Sequence, residues 1–180
     1  MALSPQKYRE MVFQILFSED TGRPDPDSMT ELMMAELAIS KKNVKTAQDK
    51  VKAILQKLPE IDPLIASVST GYDFNRIQTV AKNILRLGVF ELLFDDSIPP
   101  KVAIAEAMRL ARKFGTKESA SFVNALLDHL YRISQGDLKD AQFLEDQIKA
   151  LEQSETNNQA IALEINEAKE RESSKDDEGE

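Results

Sequence analysis

Few side chains in this sequence are equipped for chemistry. The 180 residues include no cysteine and one histidine, His129, so thiolate ligands, a cysteine nucleophile and paired imidazoles are all missing. Glu91 and Glu106 are carboxylates in apolar-periodic stretches and could imitate a metal site in a helical bundle. The Glu-x-x-His pairs that such sites need are missing. The pattern predicts no enzyme, no metal and no cofactor, and His129 reads as a surface or internally satisfied histidine. Binding chemistry remains. Lys7 and Arg9 are cations near the start of the chain. Tyr72 and Phe122 are rings that could stack on single-stranded bases or pack in a core. Arg112 and Lys113 stand near a helix C-terminus, where the macrodipole already favours cations.

The formal net charge of -8 argues at first sight against nucleic acid, but the charge is unevenly spread. Residues 137–180 carry 14 Asp and Glu against 5 Lys and Arg, so residues 1–136, with 18 basic and 17 acidic groups, are close to neutral. A near-neutral body can hold a local basic patch, and the patch decides whether a phosphate is attracted. No apolar run approaches the roughly 18 residues of a membrane span, and MALSPQKYRE lacks the apolar stretch of a signal peptide. A cytoplasmic protein with no membrane partner is expected.

Helices must position these groups. Ser4-Pro5 is a start signal for a helix to about Ser18, with Tyr8, Met11, Val12, Ile15 and Leu16 on one face and Gln6, Lys7, Arg9 and Glu10 toward solvent. After a loop at Gly22 to Asp27, a second helix is marked by Met29, Leu32, Met33 and Leu37. Asn43 can cap a third, burying Val44, Ala47, Val51, Ile54, Leu55 and Leu58. Pro59 should interrupt it, and Asp62-Pro63 restart a helix carrying Leu64, Ile65 and Val68, ended by Gly71. A central helix is expected from Asp73 to Asp95, with Phe74, Ile77, Val80, Ile84, Leu87, Gly88 and Leu92 inward. Ile98-Pro99-Pro100 leads into a helix ending at Phe114, with Gly115 as its left-handed cap. Thr116 to Glu118 open a helix that buries Phe122, Leu126, Leu127 and Leu130 and closes at Gly136.

No segment alternates with period two. The class is all-α, a double bundle of two helical subdomains spanning residues 1–136. Residues 137–180 form an acidic extension. Leu138, Ala141, Leu144, Ile148 and Leu151 keep helical spacing, whereas the stretch from Glu152 thins in apolar content and reads as disordered or frayed. Cutting after Gln135 should leave a folded core.

The segments ILRLGVFELL, IPPKVAIAEAMRLARKFG and SASFVNALLD resemble, in order and separation, three signature segments of the NusB transcription antitermination family. Lys7-Tyr8-Arg9-Glu10 followed by Phe13-Gln14 and Leu16-Phe17 is similar to the family's arginine-rich opening helix. The resemblance covers roughly residues 4–134. It implies a seven-helix, two-subdomain fold that binds boxA-type single-stranded RNA of ribosomal RNA leaders together with the small-subunit ribosomal protein NusE, with other Nus factors and RNA polymerase as indirect partners. By position it implies RNA contact at Lys7, Arg9, Tyr72, Lys117, Glu118 and Phe122, and a protein-partner surface at Arg76, Thr79, Lys82, Asn83 and Arg86. Only two basic residues stand where the family commonly carries more arginines, which predicts looser and less salt-sensitive RNA binding. Two other functions stay open: a helical scaffold that keeps the protein partner without RNA specificity, and a non-catalytic accessory to ribosomal RNA modification.

Overall fold

In the computed structural model the described residues are 3–22, 31, 34–35, 39–69, 72–137 and 142–176, with side chains of the last segment described from 143 to 166. Among them are six long α-helices, one 3-10 turn and no strand. The expected second helix, through Met29, Leu32, Met33 and Leu37, lies outside the described residues, as do Gly71, Leu138 and Ala141.

Helix α1 spans Pro5–Asp20. The Ser4 hydroxyl accepts the Lys7 N–H at 3.3 Å, and Pro5 occupies the first turn, where no N–H is needed. Helix α2 spans Lys41–Val68 without a break. Its N-cap is Ser40, which accepts from the Asn43 N–H, so Asn43 sits inside the helix instead of capping it. The expected break at Pro59 and restart at Asp62-Pro63 do not occur. Both prolines are exposed, so water can take the carbonyls they leave unpaired. The buried residues Ile54, Ile61, Ile65 and Val68 keep the inward stripe in register across them. Continuous burial along one face outweighs two lost backbone bonds on the other.

Asp73 caps a 3-10 turn, Phe74–Arg76, and the central helix α3 begins only at Thr79 and runs to Leu93. Ile77 is extended, at φ -60° and ψ 122°, which separates the two. Helix α3 touches α1 and α2 on one side and two later helices, α4 (Pro100–Phe114) and α5 (Lys117–Ser134), on the other. That position explains why α3 buries residues around most of its circumference. At Gly88 an added Cβ would lie 2.8 Å from Leu127 Cδ1 and 3.2 Å from Ala107 Cβ, so the missing side chain lets α3 approach α4 and α5 closely. Gly115 is extended, not left-handed, at φ -118°. A Cβ there would meet the Ser119 hydroxyl at 2.6 Å, so glycine serves the close approach of the Thr116–Ser119 capping box. The left-handed glycine after α5 is Gly136, at φ 79°; Gly22, after α1, is another, at φ 66°.

Helix α6 spans Gln142–Asp176 and packs on α5. Leu144, Ile148 and Leu151 are buried and belong to the same apolar core as Met11, Ile54, Ile84 and Leu126. Residues 156–166 are exposed yet helical. Apolar burial thus stops near Glu152, while the described backbone continues as helix to Asp176.

Candidate nucleic-acid interface

Helix α1 contains two cations with opposite fates. Lys7 is exposed and has no ion-pair partner among the described residues. Arg9 is 8% exposed, and its Nε donates to both oxygens of Glu91, at 3.1 and 2.9 Å. Placing Arg9 on the solvated face is corrected: α1 packs against both α2 and α3, so its buried face is wider than a single stripe and takes in position 9. Glu91 also accepts Lys50 Nζ at 3.0 Å, and Lys50 reaches Asp95 at 3.0 Å. On the other side Arg9 lies 3.9 Å from Glu106, which pairs with Arg109 at 3.0 Å. Arg109 and Lys113 both hold Glu10, at 2.6 and 2.7 Å. Eight side chains thus alternate in sign from Asp95 through Lys50, Glu91, Arg9, Glu106, Arg109 and Glu10 to Lys113, joining α1 to α4. Burial raises the Glu10 carboxyl's pKa, but the hydrogen bonds and charges of Lys113 and Arg109 outweigh it and hold the group below its ordinary value. Asp95 is likewise lowered, burial being overcome by Ser97 and Lys50. The chain sums to zero charge, and its Arg9, Lys50 and Arg109 are committed to carboxylates within it.

Tyr72 and Phe122 are core residues. They are 3% and 0% exposed and pack ring to ring at 5.9 Å between centroids, so neither presents a face to a base. The RNA contact expected of these two rings therefore has no open face to use: Phe122 points inward with Leu126. The Tyr72 hydroxyl donates to Glu155 of α6 at 2.6 Å. Burial and that carboxylate hold it protonated well above the usual phenol range. Arg76, beside it, faces Glu152 and Glu155 at 3.8 and 3.4 Å. Lys117 is exposed and Glu118 half-buried at the start of α5, so of the six residues implied for RNA, Lys7, Lys117 and Glu118 reach the surface.

Two of the five residues implied for the protein partner are also internal. Arg86 is 7% exposed and grips Asp62 through Nε and Nη2, at 2.9 and 2.8 Å, and Asp20 through Nη1 at 2.9 Å. Asn83, fully buried, donates to Asp20 and to the Thr79 carbonyl, each at 2.9 Å. Burial acts to raise the Asp20 pKa, yet Asn83 and Arg86 leave it lowered. Asn83 ties α3 to α1, and Arg86 ties it to both α1 and α2, so neither stands on an open face. Arg76, Thr79 and Lys82 are exposed or half-buried, with Lys82 Nζ 5.0 Å from the Phe74 ring centroid. Glu91, Glu106, Asp62 and Lys50 are the structural partners that sequence reasoning missed. Among the described residues no group of acidic or histidine side chains is arranged to hold a metal, and none of the described helices is long and apolar enough to cross a membrane.

Residues 6–132 match the NusB family. The chain belongs to the NusB family. The "Transcription antitermination protein NusB" of Chlamydia pneumoniae is 36% identical over 126 residues, covering 70% of this chain and 79% of that one. Among solved structures, T. maritima NusB shares 32% identity with a TM-score of 0.62, over 73% of this chain and 93% of that one. A chain of the crystal structure of antitermination factors NusB and NusE in complex with dsRNA shares 26% identity with a TM-score of 0.61, over 71% and 96%. This NusB-family chain is a non-catalytic transcription antitermination factor. Helix α6 starts beyond the matched segment.

Proposed function

We propose that this NusB-family protein binds boxA-type RNA of ribosomal RNA leaders jointly with the ribosomal protein NusE, in the cytoplasm, and through them joins other Nus factors on RNA polymerase. The observation that carries this reading is its likeness to a chain of the solved assembly of NusB and NusE with dsRNA. On this reading Lys7 and Lys117 contact phosphates, Glu118 moderates affinity by repelling them, and Arg76, Thr79 and Lys82 border the protein partner. Phosphate contacts set affinity and its salt dependence, so two lysines alone give weak binding and make NusE necessary for a firm complex.

A second reading, a scaffold that keeps NusE and lacks RNA specificity, draws support from the internal placement of Arg9, Tyr72 and Phe122. Fluorescence anisotropy with boxA RNA and a scrambled RNA of equal length, with and without NusE at fixed near-physiological salt, separates the two. A boxA preference that tightens with NusE supports joint recognition. Equal binding to both RNAs with NusE bound overturns it in favour of the scaffold.

A further inference from the structure

The first half of α2 is the most basic stretch of the chain. Residues 41–58 hold six lysines and one acid, Asp49. Lys50 and Lys57 are committed to Glu91, Asp95 and Glu60. The other four, Lys41, Lys42, Lys45 and Lys52, are exposed, and none is in an ion pair among the described residues. In a helix of 3.6 residues per turn, positions 41, 45 and 52 fall within about 40° of one another and span about 16 Å along the axis. They form a single stripe, flanking the buried face of Val44, Ala47, Val51 and Ile54.

Helix stability does not account for this stripe. The first turn of α2 contains no acidic residue, and lysines at an N-terminus oppose the macrodipole, which favours anions there. The opening helix also rests on α2: the Tyr8 hydroxyl donates to the Thr46 carbonyl at 3.3 Å, one residue beyond Lys45 along the same helix.

We propose that Lys41, Lys45 and Lys52 form a phosphate-binding track for single-stranded RNA, which supplies the electrostatic attraction that the ion-paired Arg9 cannot. This rests on the RNA-binding reading above. Unpaired ammonium groups on a rigid helix face fit a flexible chain of phosphates, and lysine binds phosphate as a point charge without demanding one geometry. Such contacts position RNA without reading its bases.

The test uses the full chain with NusE, titrated by anisotropy against boxA and scrambled RNA across a salt series. The variants are Lys41→Gln/Lys45→Gln/Lys52→Gln and, to keep the charge, Lys41→Arg/Lys45→Arg/Lys52→Arg. Three phosphates at about 0.7 each predict that the glutamine variant's log K against log salt is shallower by about 2, so that wild type loses about 20-fold more affinity than the variant over a fourfold rise in salt. The arginine variant should keep the wild-type slope, the ratio of boxA to scrambled affinity should be unchanged, and circular dichroism should show both variants folded. A glutamine variant with wild-type slope and affinity overturns the track and leaves the RNA reading standing. If wild type shows no boxA preference, joint recognition falls while the slope on either RNA still decides the track. If wild type binds no RNA, both fall.

Discussion

Arg9→Met removes a guanidinium and retains most of the side-chain volume. Glu91, 2% exposed, would keep only Lys50, and Glu106 would lose its longer contact at 3.9 Å. Removing one partner of a buried pair costs about 3–5 kcal/mol because the other charge is left in a dry site. The surviving Lys50 contact at 3.0 Å sets the expectation at the lower end, about 3 kcal/mol. For a chain of this size that is about 6–12 °C in Tm. Urea unfolding followed by circular dichroism at neutral pH reads the difference directly. In Arg9→Met/Glu91→Met both charges leave together, Lys50 keeps Asp95 at 3.0 Å, and most of the loss should be recovered, since apolar replacement of buried pairs is close to neutral. A single-mutant loss under about 1 kcal/mol, the range of solvent-screened pairs, would refute the argument, as would a double mutant no better than the single. The same geometry changes how a charge reversal is read. Arg9→Glu would set a third carboxylate beside Glu91 and Glu106 and report on unfolding, so Lys7→Glu alone is the clean probe of RNA contact.

Glu10, Asp20 and Asp95 titrate below their ordinary values of 4.5, 3.8 and 3.8. The unfolded chain therefore binds more protons near those values, and their stabilisation, complete at neutral pH, is lost as pH falls through the depressed values. Tm should drop between pH 5 and pH 2, and a flat profile would show that these pairs contribute nothing. Leu151→Ala, at a side chain 5% exposed in α6, should cost about 2–4 kcal/mol in urea unfolding; a change below about 0.5 kcal/mol would mean that α6 is a loose appendage and that cutting after Gln135 is harmless. Gly88→Ala gains about 1 kcal/mol of helix propensity but forces Leu127 and the rigid Ala107 Cβ apart. Overpacking of about 1–3 kcal/mol should leave it neutral to destabilised, and a clear rise in Tm would contradict the close approach.

Periodicity and caps located α1, α4 and α5 to within a few residues because those helices pack through faces that repeat at three and four. The break expected at Pro59 failed because a local rule about one missing N–H does not see the buried stripe from Ile54 to Val68. The central helix was read too long for a related reason: the apolar spacing of Phe74 and Ile77 continues through a 3-10 turn that only the extended Ile77 backbone distinguishes. Of the candidate site, Lys7 and Lys117 were legible as surface cations. Arg9 was not, because its partner Glu91 lies 82 residues away and no helical wheel of α1 records which neighbours surround it. Arg86 and Asn83 share that fate, with Asp20 and Asp62 on two other helices. Tyr72 and Phe122 were ambiguous by type, and burial by neighbouring elements decided them. In the tail, composition forecast the end of apolar burial near Leu151 but could not say whether polar residues beyond it stay helical.

The alternating row of charges between Asp95 and Lys113 also bears on how the molecule responds to heat. Hydration of charged groups carries a strongly negative entropy, so drying them costs less as temperature rises, whereas apolar attraction levels off. The junction of α1 with α2, α3 and α4 combines such pairs with the buried Met11, Val12, Phe13, Ile15 and Leu16, while α6 meets the body through Leu144, Ile148 and Leu151 and through Glu152 and Glu155 on Arg76 and Tyr72. Warming therefore gives the ion-paired row a larger share of the cohesion at the α1 junction than it has in the cold.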